Sequence, residues 1–158
     1  MKDDYGFELR WARESEWTAA MGMVWRTFLK FEGNDYTEEG IQNFYEFLTD
    51  GRLYMSFLKG EYPMMVALDN GRIIGVGTIR NQNRLSLLFV EEAYHHMGVG
   101  SAILCGLCAY LKTEAGEDSM WVMAAPYAVE FYRKLGFSQD GPEQEVGGIR
   151  VTMMEKAF

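Results

Sequence analysis

Cationic side chains are scarce in this chain. Fifteen lysines and arginines stand against twenty-three aspartates and glutamates, giving a formal net charge of −8 and a pI near 4.8. Non-specific nucleic-acid binding needs a Lys/Arg excess to neutralise phosphates, so no nucleic-acid partner is expected. An acidic field instead favours a cationic substrate, although acidity also serves solubility alone. Cysteine is nearly absent too: Cys105 and Cys108 are too few for a secreted disulfide scaffold and agree with a reducing compartment. No run approaches the ~20 apolar residues of a membrane span, and Met1-Lys2-Asp3-Asp4-Tyr5 has no apolar stretch resembling a signal peptide. These absences predict a cytoplasmic protein with no membrane partner. Repeats, linkers and low-complexity tracts are missing as well, so one domain over residues 1–158 is expected.

Apolar material is plentiful. Hydrophobic residues make up 48% of the chain, with ten Phe, nine Tyr, four Trp and eleven Met, enough for a core and an apolar cleft. Gly6 to Trp11 alternates apolar and polar side chains and reads as a strand. Trp17, Ala20, Met21, Val24, Phe28 and Phe31 form one stripe of a helix from about Ser15 to Lys30, with Ser15 as a candidate N-cap. After Glu32-Gly33-Asn34-Asp35, Thr37 can cap a second helix with the stripe Ile41, Phe44, Tyr45 and Leu48. Met64–Leu68 and Arg72–Arg80 flank Asn70-Gly71, a tight hairpin turn. Leu85 to Val90 is a nearly continuous apolar run, as expected of a central strand covered on both faces.

The second half repeats this alternation. A helix from about Gly98 to Ala115 carries Ile103, Leu104, Leu107 and Leu111 and stops at Gly116. Met120–Met123 reads as a strand, and Ala128, Phe131, Tyr132 and Leu135 as the face of a short helix closed by Gly136. A terminal hairpin turns at Gly147-Gly148, its first arm made irregular by Gly141-Pro142. The fold class is α/β: a mixed central sheet of about six to seven strands flanked by about four helices, with a parallel crossover from Leu85 to Met123.

Gly98-Val99-Gly100 lies where a buried strand has ended and a helix begins. Without Cβ atoms, its glycines let a ligand approach the main-chain N–H groups of the first helical turn, which suit phosphate oxygens. Alone, a G-x-G is also an ordinary tight turn. Taken with Leu88-Phe89-Val90, with Tyr94-His95-His96-Met97-Gly98-Val99-Gly100-Ser101, and with the later helix Pro126 to Phe137, it resembles the GNAT N-acetyltransferase family over nearly the whole chain. That resemblance implies acetyl-CoA as co-substrate, with its pyrophosphate on the turn of His95, His96, Met97, Gly98, Val99, Gly100 and Ser101 and its pantetheine along the main chain of Phe89 and Val90. It also implies direct attack by an amine nitrogen in a ternary complex, without an acyl-cysteine. A homodimer is common in that family.

The turn departs from the family pattern. His95, His96 and Met97 stand where Gln or Arg and further basic residues are usual, so backbone donors and imidazole are left to hold the phosphates, with an affinity that depends on pH near the histidine pKa of about 6.5. Ala125 stands where many members have Asn. Adjacent histidines seldom face one ion, and no third ligand lies at a suitable spacing, so no metal is expected.

By the same resemblance Tyr132 is the candidate general acid for the leaving thiolate, since a phenol stays protonated at neutral pH; periodicity alone places it in the core. No carboxylate or histidine on Leu85–Val90 offers a general base. Phe31, Glu32 and Tyr36, in the loop between the opening helices, are candidates for binding the acceptor, a small-molecule or peptide amine; a solvated loop glutamate is the plainer reading of Glu32. The expected function is amine N-acetylation. The alternative is a CoA-binding module with weak or no catalysis.

Overall fold

The computed structural model describes residues 6–158, and Met1–Tyr5, read above for its lack of an apolar stretch, lies outside them. β1 (Glu8–Trp11) is followed by a 3-10 turn and α1 (Trp17–Phe31). Ser15 is not the cap expected of it: the Glu16 carboxylate accepts from Arg13 N at 2.7 Å and pairs with Arg10, organising the helix entry instead. Thr37 does cap α2 (Glu38–Thr49), accepting from Gly40 N at 3.0 Å. A further helix, α3 (Gly51–Leu58), starts at once because Asp50 accepts from Arg52 N at 2.8 Å. Asp-Gly looks like a break in sequence; here it is a cap and a first helical residue.

β2 (Met64–Asp69) and β3 (Arg72–Arg80) form the expected hairpin, with Asn70 and Gly71 at φ 50° and 83°. β4 (Arg84–Val90), α4 (Val99–Thr113) and β5 (Ser119–Ala124) make the parallel crossover. α5 (Val129–Lys134) follows, and then β6 (Ser138–Gln139), β7 (Gln144–Val146) and β8 (Ile149–Ala157). The eight strands and five α-helices among the described residues exceed the sequence expectation. The excess is α3 and the splitting of the irregular hairpin arm at Gly141-Pro142.

The sheet runs β1-β2-β3-β4-β5-β8-β6, with β7 paired to β8. Among the described strands only β4 and β5 are parallel neighbours. Their pairing covers just Arg84↔Trp121 and Leu85↔Val122. At that point β4 is bulged: Ile79 faces Leu85 and Thr78 faces Leu87, so Ser86 is the extra residue. Thr78 Oγ1 accepts from Leu87 N at 3.1 Å and donates to Tyr62 Oη at 2.9 Å, while Tyr62 Oη lies 3.0 Å from Ser86 Oγ. A bulge bends its strand and ends local pairing. Beyond Leu85, β4 and β5 part, and the gap they leave is the central feature of the fold.

Each sheet face has its own core. Ile74, Ile79 and Leu85 meet Ile103, Leu107 and Leu111 of α4 on one side. Val66, Val76, Leu87 and Phe89 meet Met23, Val24 and Phe28 of α1 and Leu48 of α2 on the other. α4 lies close on the sheet because β3 presents Gly75 and Gly77 beneath it: a Cβ at Gly77 would fall 2.4 Å from Ile103 Cγ2. That close seating brings the N-terminus of α4 to the mouth of the gap.

Candidate active site

Two cavities open on the gap. A groove of about 690 Å³ runs from the start of α4 to α5, walled by Val90, His95, Phe131 and the Gly98–Ser101 turn. Gly98 is left-handed at φ 81°, and a Cβ there would meet nothing within 4 Å, so the turn is open on its ligand side. The intrahelical ladder begins with Ala102 N donating to Gly98 O at 3.0 Å, and no side chain caps the helix. The N–H groups of Val99, Gly100 and Ser101 are therefore the unspent donors of a helix N-terminus, an arrangement that fits phosphate.

The three residues before Gly98 divide their tasks. The His95 ring faces the strand end, Nε2 lying 2.7 Å from Val90 O, and Phe31 packs on it with ring centroids 5.0 Å apart. His96 is exposed and also left-handed, at φ 63°. Met97 is 61% exposed and lines neither cavity. What the turn brings toward the groove is mainly backbone.

The strand side of the groove is backbone too, with Val90 as expected but Leu88 in place of Phe89. Glu91 N donates to Ile74 O at 2.9 Å, so with a period of two the main chain of Phe89 faces β3, while Leu88 and Val90 face the gap. Phe89 contributes its ring, and the outward main-chain groups belong to Leu88 and Val90. A peptide-like chain laid there would continue the sheet between β4 and β5.

The second cavity, about 100 Å³, lies on the α1–α2 side of the sheet and is walled by Glu32, Tyr36, Phe44, Ser86 and Met123. It shares Leu88, Phe89, Tyr127, Ala128 and Tyr132 with the groove. Tyr132 thus stands at the junction, 6% exposed, and burial pushes its phenol well above the usual tyrosine range. It remains a proton donor at neutral pH. Glu32 and Tyr36 lie in the small cavity, but Phe31, grouped with them from sequence, lines the groove instead.

Glu32 is not a solvated loop glutamate. It is 8% exposed, and burial raises its carboxyl pKa while hydrogen bonds from Tyr127 and Tyr36 oppose the rise. Tyr127 Oη donates to Glu32 Oε1 at 2.5 Å. Although 58% of Tyr127 is exposed, its hydroxyl is turned inward to Glu32, and the residue lines both cavities. Burial and the facing Glu32 carboxylate push the phenols of Tyr36 and Tyr127 upward, so both stay donors. Tyr127, Phe44, Ser86 and Leu88 are not read as site residues from the sequence, where Phe44 stands only in a helix stripe and Leu88 and Tyr127 only within the motif stretches. The one available signal is that Tyr127 directly precedes Ala128 at the head of the α5 motif.

Neither cysteine lines either of these two cavities. Cys108 is half-buried on α4 beside Met120, and burial raises its thiol pKa, opposite to what a nucleophile needs.

The family model of the acetyltransferase (GNAT) domain matches residues 32–158. The chain belongs to the GNAT acetyltransferase family. A GCN5-related N-acetyltransferase from Rhodopseudomonas palustris has the same fold, with a TM-score of 0.81 at 19% identity over 96% of this chain and 95% of that one. The PaiA N-acetyltransferase of Thermoplasma acidophilum, solved in complex with coenzyme A, gives 0.78 at 16% identity over 96% and 99%. The ribosomal-protein-alanine N-acetyltransferase of Brucella melitensis gives 0.68 at 19% over 96% and 99%. No curated protein gives a significant match. Among the described residues no helix of this GNAT chain is long and apolar enough to cross a membrane.

Proposed function

We propose that this protein transfers an acetyl group from acetyl-CoA to an amine by direct attack within a ternary complex. The observation that carries the reading is the meeting of two cavities at Tyr132, one shaped for an extended phosphorylated cofactor and one ending on a buried carboxylate. The residues fit acetyl-CoA on three counts: unspent N–H donors at Val99–Ser101, an open turn at Gly98, and strand backbone of Leu88 and Val90 facing the gap. Acetyl-CoA supplies the activated acetyl thioester, whose C–S bond breaks as the amine forms its C–N bond.

The chain's own residues position and protonate. The α4 turn orients the phosphates by backbone donors and the helix dipole. Leu88 and Val90 hold the pantetheine amides in register. Tyr132 offers its phenolic proton to the departing sulfur, the role of a general acid. Glu32, Tyr36 and Phe44 form the acceptor side.

The test is a panel of small amines and short peptides scored for CoA release, alongside calorimetric titration of acetyl-CoA alone. Acetyl-CoA binding with release for at least one amine is expected. Binding without release across the panel would indicate a non-catalytic CoA module, and absence of binding would defeat both readings.

A further inference from the structure

We propose, resting on the acetyl-transfer reading above, that Glu32 receives the acceptor as an ammonium ion and takes its proton, and that the Tyr127 hydroxyl is the group this ammonium displaces. The acceptor class is then primary alkylamines, cations in solution, rather than arylamines that arrive neutral.

The geometry supports this at each step. Glu32 forms a wall of the small cavity, which shares Leu88, Ala128 and Tyr132 with the groove. The titratable groups facing Glu32 are Tyr36 and Asp35 of its own loop, Tyr127 from the turn before α5, and Tyr132 of α5. No lysine, arginine or histidine is among them. A buried carboxylate is costly unless paired, and two phenols are weaker partners than a cation that donates charge-assisted hydrogen bonds.

Tyr127 can yield. It sits on a short 3-10 turn, the residue is more than half exposed, and its hydroxyl reaches inward to Glu32. Swinging outward would free Glu32 Oε1 and unblock the junction it shares with the groove. Tyr36 and Phe44 then put aromatic rings in the wall around the incoming nitrogen, side chains that suit a cation. A cavity of about 100 Å³ admits the reacting end of a slender amine.

In the proton step one N–H bond of the ammonium breaks and an O–H bond forms on Glu32, leaving the electron pair on nitrogen free to attack. The proton then leaves Glu32 to water as the cavity reopens. Burial, by raising the carboxyl toward neutral pH, makes Glu32 a better proton acceptor than an exposed glutamate. This supplies the base that β4 lacks.

The experiment compares wild type with Glu32→Gln, Glu32→Asp and Tyr127→Phe. It records kcat and KM for a linear alkylamine and for aniline across pH 5.5–9, the acetyl-CoA Kd by calorimetry, and the thermal shift caused by alkylamine with CoA present. Wild type should prefer the alkylamine. Glu32→Gln should cut its kcat/KM about a hundredfold, abolish the amine-induced thermal shift and level the alkyl-to-aryl preference, with the acetyl-CoA Kd within about twofold; Glu32→Asp should restore part of each. Tyr127→Phe should lower the alkylamine KM several-fold by removing the competing hydroxyl. It should also move the acidic limb of kcat/KM to higher pH, because Glu32 loses a hydrogen bond that favours its charged form. Unchanged alkylamine kinetics in Glu32→Gln, a wild-type preference for aniline, or an unmoved limb and KM in Tyr127→Phe would overturn the proposal. Loss of acetyl-CoA binding in wild type would instead overturn the acetyl-transfer reading.

Discussion

Tyr127 Oη lies 2.5 Å from Glu32 Oε1 across a separation of 95 residues, so the turn before α5 is fastened to the loop after α1 at one buried carboxylate. That carboxylate is held above its ordinary pKa by burial, which has a thermodynamic consequence. A raised folded-state pKa means that the native state holds the proton more tightly than the unfolded chain does. Stability contributed by Glu32 is therefore present below the ordinary glutamate range and lost as pH rises through the folded pKa. Glu32→Gln, which keeps the shape without the charge, should melt higher than wild type, and the gap between their Tm values should widen from pH 5 to pH 8. Each kcal/mol regained corresponds to about 2–4 °C. Thermal denaturation at both pH values checks this, and a gap that narrows with pH would contradict it.

Tyr132 tests the other side of the junction. The residue lines both cavities, and burial keeps its hydroxyl protonated. Tyr132→Phe retains the ring that packs edge-on against Phe131 and Phe137, at centroid distances of 5.2 and 5.4 Å. Folding and acetyl-CoA affinity should be nearly unchanged, while kcat falls about tenfold or more. Equal kcat for variant and wild type would remove the phenol from the chemistry.

Much of this architecture was legible in sequence because it depends on local rules. The apolar run of β4, the Asn70-Gly71 turn and the Thr37 cap each carry their cause within a few residues. α3 did not, since Asp50-Gly51 serves equally as a break or as a cap and start, and packing decides between them. The site divides in the same way. Gly98 to Ser101 announces itself by its place between a strand and a helix. The outward main chain of Leu88 and Val90 depends on the phase of β4 against β3, and the Glu32–Tyr127 bond depends on tertiary closure. Neither leaves a periodic trace.

The turn itself yields a contrast between side chain and backbone. His96 is exposed at φ 63° and Gly98 lies at φ 81°. If the turn holds phosphate by its main chain, His96→Gly preserves the required conformation and should leave the acetyl-CoA Kd within about twofold. Gly98→Ala imposes a left-handed strain of about 1–2 kcal/mol. If binding demands that conformation, affinity drops about tenfold, each 1.4 kcal/mol being a factor of ten. Calorimetric titration distinguishes the two, and a larger loss in His96→Gly than in Gly98→Ala would return the role to imidazole.

The seating of α4 on β3 governs where that turn lies. A methyl at Gly77 would come 2.4 Å from Ile103 Cγ2 and 2.9 Å from Leu107 Cδ1, both fully buried atoms with no room to retreat. Gly77→Ala should therefore overpack the interface, lowering stability by about 1–3 kcal/mol and, by lifting α4, weakening acetyl-CoA binding. Gly51→Ala is the matched control: it opens α3, has nothing within 4 Å of an added Cβ, and should be neutral or slightly stabilising, because alanine favours helix more than glycine does. Chemical denaturation of both variants makes the comparison. Equal midpoints would show that α4 does not depend on the absent Cβ of Gly77 for its position over the gap.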